Sequence, residues 1–132
     1  MTKPHINFVH LCDSAFFSQE GKLNIIGMFK TIGAAKFPTN HPKMAIVLDV
    51  KVSESTKLKI QILKKETGET IAKLEGKLDR KDNVKGEKEM CFISDFNNVK
   101  FESSGEYRVE IWIGDELMEI IPFAVNKVGG AK

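Results

Sequence analysis

Apolar and polar residues alternate with a period of two along nearly the whole chain. No 3.6-residue stripe runs far enough to predict a substantial helix. The alternation is cleanest from Met44, where Met44, Ile46, Leu48, Val50 and Val52 share one face and Asp49 and Lys51 the other. Leu58, Ile60 and Ile62 repeat it against Lys57, Lys59 and Gln61; Thr67-Gly68-Glu69 then turns the chain, and Thr70 to Leu78 returns as the second arm of a hairpin. Strand pattern resumes from Glu87 to Phe96, Asn97-Asn98 starts a turn, Ser103-Ser104-Gly105 marks another break, and the pattern resumes from Glu106 to Ile113. Gly114-Asp115-Glu116 is a tight turn into a last strand, Leu117 to Asn126. Nearer the N-terminus, Ile6 to Cys12 and Leu23 to Phe29 read as strands joined by Ser18-Gln19-Glu20-Gly21-Lys22. Phe16-Phe17, between two strands, is a candidate apolar tip, with a place in the core the favoured reading.

Two stretches read as loops. Asp79 to Gly86 is charged and rich in turn residues, and Phe37 to Pro42 carries two prolines, which a central strand does not admit. About eight strands separated by turn signals predict an all-β fold, a single antiparallel β-sandwich. An immunoglobulin-like Greek key is the first choice and a closed β-barrel the second. Gly105-x-Tyr107, opening the penultimate strand, supports the first choice, because it fits a tyrosine corner in which the phenol bonds nearby backbone. Residues 1–127 make one domain, and Val128 to Lys132 a flexible tail.

Composition narrows the function classes. At 132 residues the chain is long enough to bury a core without disulfides or a structural metal. Lys and Arg total 20 against 18 Asp and Glu, and Arg80 and Arg108 are the only arginines. The lysines are interleaved with acids, as in Lys73-Leu74-Glu75 and Glu87-Lys88-Glu89, so no basic stripe for nucleic acid forms. No apolar run approaches the roughly 20 residues of a membrane span, and the N-terminus lacks the apolar core of a signal peptide. The expectation is a cytoplasmic protein in which Cys12 and Cys91 stay reduced, at a spacing that fits no zinc pattern.

An ordered set of short landmarks adds to this: Leu11-Cys12-Asp13, Gly21-Lys22-Leu23, Ile26-Gly27-Met28-Phe29, Phe37-Pro38, then Gly105-Glu106-Tyr107-Arg108 and the final hairpin. In that order they resemble a family of small bacterial β-proteins known only as a domain of unknown function, over roughly Ile6 to Asn126. The resemblance implies one compact β-domain and brings no activity, ligand or catalytic residue with it. Read from the residues, Gly21 suits a turn with positive φ, Gly27 a bulge or close backbone approach, and Asp13 a turn cap.

Candidate chemistry is sparse. His10 and Cys12, two apart on a strand, share a face beside Asp13, but they lack the third and fourth ligands of a metal site. Asp79, Asp82 and Asn83 offer oxygens in one loop, with Arg80 and Lys81 beside them to repel a cation. No phosphate loop, Gly-x-Ser-x-Gly elbow or His-Glu-x-x-His motif occurs. No catalytic residue, cofactor or metal is therefore expected, and the chain reads as a non-enzymatic interaction domain.

Trp112 is the most informative residue, because it falls on the otherwise polar face of its strand with Glu106, Arg108 and Glu110. If Phe123 and Val125 face the core and no bulge intervenes, Met118 and Ile120 lie outward beside Trp112 as an apolar patch. A bulge near Pro122, or a loop from Gly33 to His41 folded over the patch, would remove it. The expected partner is another protein or a second copy of this chain. The alternative is a small-ligand or carbohydrate-binding sandwich in which Trp112 stacks on the ligand.

Overall fold

A computed structural model, which describes residues 4–79 and 86–129, shows nine strands and no helix among the described residues. They are β1 (His5–Phe17), β2 (Leu23–Met28), β3 (Thr31–Ala34), β4 (Thr39–Val52), β5 (Thr56–Lys64), β6 (Thr70–Leu78), β7 (Lys88–Phe101), β8 (Gly105–Ile113) and β9 (Glu116–Lys127). They form two sheets, of order β2-β1-β4-β7 and β3-β9-β8-β5-β6, stacked as the expected all-β sandwich. The run β9-β8-β5-β6 is the G-F-C-C′ order of immunoglobulin-like sandwiches, and β4 beside β7 is their B–E pair. The chain changes sheets from β2 to β3 and back from β3 to β4, and again from β4 to β5, β6 to β7 and β7 to β8, the last three as Greek-key connections require.

The inward faces are those the alternation marks. Met44, Ile46, Leu48, Val50 and Val52 of β4 pack against Ile60 and Ile62 of β5 and Val109 and Ile111 of β8 in one core cluster. At its upper end the Tyr107 hydroxyl donates to the Ser103 carbonyl at 2.6 Å, the tyrosine corner anticipated from Gly105-x-Tyr107. The ring packs edge-on to Phe101 at 5.0 Å and stacks on Phe123 at 5.8 Å. Gly21 has φ +84° in the β1–β2 turn. Gly27 has φ +70°, and a Cβ there would overlap the Asp13 carboxylate, so glycine is required both by backbone and by close approach.

Four expectations are corrected, the first being the turn at Asn97-Asn98: β7 runs through both residues to Phe101, with Asn98 at φ +55° within it. The sandwich is not wholly antiparallel, because β3 pairs parallel with β9, from Thr31 opposite Ala124 to Ala34 opposite Lys127. Four residues with a central glycine are too few to show a period. Phe37 to Pro42 is not all loop, since β4 begins at Thr39 and carries Pro42 within it. There β7 is the only strand beside β4, because β1 pairs with β4 from Ala45 to Lys51, so the missing N–H interrupts nothing on the other side. Phe16 and Phe17 are not core: β1 runs on to Phe17 and leaves them 46% and 47% exposed on the β1–β2 hairpin.

No helix among the described residues is long and apolar enough to cross a membrane. Of the expected tail, Val128 donates its N–H to the Ala34 carbonyl at 2.9 Å, while residues 130–132 lie outside the described residues. So do Asp82 and Asn83.

Candidate functional site

The outer face of the five-stranded sheet holds Trp112. Register sets three cross-strand pairs side by side there, Lys59 with Trp112, Gln61 with Glu110 and Leu63 with Arg108. Glu110 collects the polar bonds: its carboxylate accepts from Gln61 Nε2 at 2.8 Å and Trp112 Nε1 at 3.1 Å, and pairs with Arg108 Nη2 at 2.9 Å. Burial pushes this carboxyl up, but those bonds and the Arg108 charge outweigh it and hold it below its ordinary value. Lys59 Nζ lies 4.8 Å from the Trp112 ring centroid, a cation–π contact. The indole is therefore engaged by its own sheet at both its N–H and one face.

Of its expected neighbours, Ile120 does lie outward, opposite Glu110 and 43% exposed. Met118 does not: it packs against the core cluster. An extra residue in β9 shifts the register between Ile111, opposite Glu119, and Trp112, opposite Leu117. Leu117 thus takes the outward place that strict alternation assigns to Met118, through a bulge closer to the turn than Pro122.

The outer face of the four-stranded sheet is built differently. Three rows cross it: Phe8–Asp49–Cys91, His10–Val47–Ile93 and Cys12–Ala45–Asp95. Cys12, Ala45 and Val47 are fully buried in a second cluster beneath Phe8, Ala15, Leu23, Ile25, Cys91 and Ile93. This cluster was legible in Ala45-Ile46-Val47-Leu48, an unbroken apolar run of the kind that marks burial on both faces. The adjoining hairpin exposes Phe16, Phe17, Ile26 at 54% and Met28 at 61%.

His10 and Cys12 share this face as expected, and Asp49, Cys91 and Asp95 stand in its rows without gathering around them. His10 stacks on Phe8 at 5.3 Å, and His41 lies elsewhere against Phe29. No three His, Cys, Asp or Glu side chains gather in a metal-holding group among the described residues. Both cysteines are free. Burial pushes both thiols above their ordinary value, with the Asp49 charge adding to the effect at Cys91, so neither is an activated nucleophile.

The sequence profile of a family of unknown function (DUF6941) matches residues 7–126. The chain belongs to that family. No curated protein matches it in sequence. Among solved structures, this DUF6941 chain is similar to a mutant β-glucosidase from Listeria innocua in complex with laminaribiose. That similarity has a TM-score of 0.44 and 11% identity, and covers 90% of this chain and 16% of that one. It is a likeness of outline to a small part of a larger enzyme, and nothing about activity follows from it.

Proposed function

We propose that this DUF6941 domain is a non-enzymatic interaction module that contacts another protein chain through the side of the sandwich carrying the β1–β2 hairpin. One observation supports the reading above the rest. Of the seven large apolar side chains exposed among the described residues, four, Phe16, Phe17, Ile26 and Met28, stand on this one hairpin. Phe17 stands beside Leu23 on the face of the second cluster, and Phe16 and Ile26 stand on the other face of the hairpin, so both of its faces are apolar. Exposed large apolar side chains gathered on one hairpin mark contact sites. The face around Trp112 offers less, because its central carboxylate, amide and indole satisfy one another.

A photo-crosslinking side chain placed at Ile26 in living cells tests this, with the same group at Lys73 on β6 as reference. The expected result is a discrete protein adduct from Ile26 and none from Lys73. No adduct from Ile26, or equal adducts from both positions, overturns the reading.

A further inference from the structure

We draw no further inference here: the strongest candidate, the apolar notch between the edges of β1 and β9 lined by Val9, Leu11, Met28, Phe29 and Ile121, carries nothing because nothing in the structure shows what covers it.

Discussion

The two outer faces of this sandwich solve one problem in opposite ways. Each is a three-row tile on a central pair of strands. On the four-stranded sheet the middle of the tile is Val47, flanked by His10 and Ile93 and fully buried. On the five-stranded sheet the middle pair is Gln61 and Glu110, and Glu110 is 5% exposed. The first face removes apolar surface from water by laying half-buried side chains over small ones, and it leaves an apolar rim. The second buries a charge by giving it three donors and leaves a polar rim. A face closed by its own hydrogen bonds has little left to offer a partner, whereas a face closed by incomplete packing has gained only part of its burial. That difference is why the contact surface is assigned to the hairpin side and not to Trp112.

The largest expected effect comes from putting a charge at the buried centre of the first face. Val47→Asp puts a carboxylate at a fully buried position packed against Ala45 and Cys12, whose thiol is already committed to backbone carbonyls, and should cost about 4 kcal/mol or more. Urea melts check it; a loss below about 1 kcal/mol would mean this cluster is open to water. Next, Glu110→Ala strips the acceptor from Gln61, Trp112 and Arg108 at once and should cost about 2–3 kcal/mol. The indole should redden its emission as Nε1 turns to solvent. If Glu110→Ala matched the wild type in stability and emission, the polar face would be ornament.

How far these faces were legible depends on what a local period can record. The inward face of β4 and the Tyr107 corner follow from alternation and from a glycine two residues before a tyrosine, signals that lie within one segment. The second cluster also stood in the sequence, in the unbroken run Ala45 to Leu48, although alternation through Met44 and Ile46 masked it. Met118 was misplaced because a single inserted residue reverses phase without changing composition. β3 and the notch were beyond reach, since both depend on which strands lack neighbours, and that is fixed by pairing between distant segments.

Acid should separate the faces with a smaller effect. The folded-state value of the Glu110 carboxyl lies below its ordinary one, so the unfolded chain binds that proton more readily. Its stabilising contribution is complete above the ordinary carboxylate range and is lost as pH falls through the folded value. Urea melts from about pH 7 to about pH 3 should therefore fall more steeply for the wild type than for Glu110→Gln, which carries no such proton. Equal slopes would remove Glu110 from the acid response and leave its burial uncompensated.

The smallest expected effect tests whether the polar face is also packed. Lys59 Nζ stands over the Trp112 ring, and both side chains are half-buried. Lys59→Met keeps the apolar stem over the indole and removes the charge, so the loss should be confined to the cation–π contribution, roughly 0.5 kcal/mol. Lys59→Arg should leave stability near the wild-type value, because a guanidinium can stack on the same ring. A Lys59→Met loss above about 2 kcal/mol would show that this face depends on tight cover in the same way as the Val47 tile. The contrast between a bonded face and a packed one would then give way to two packed faces, and Trp112 would regain its claim as a contact residue.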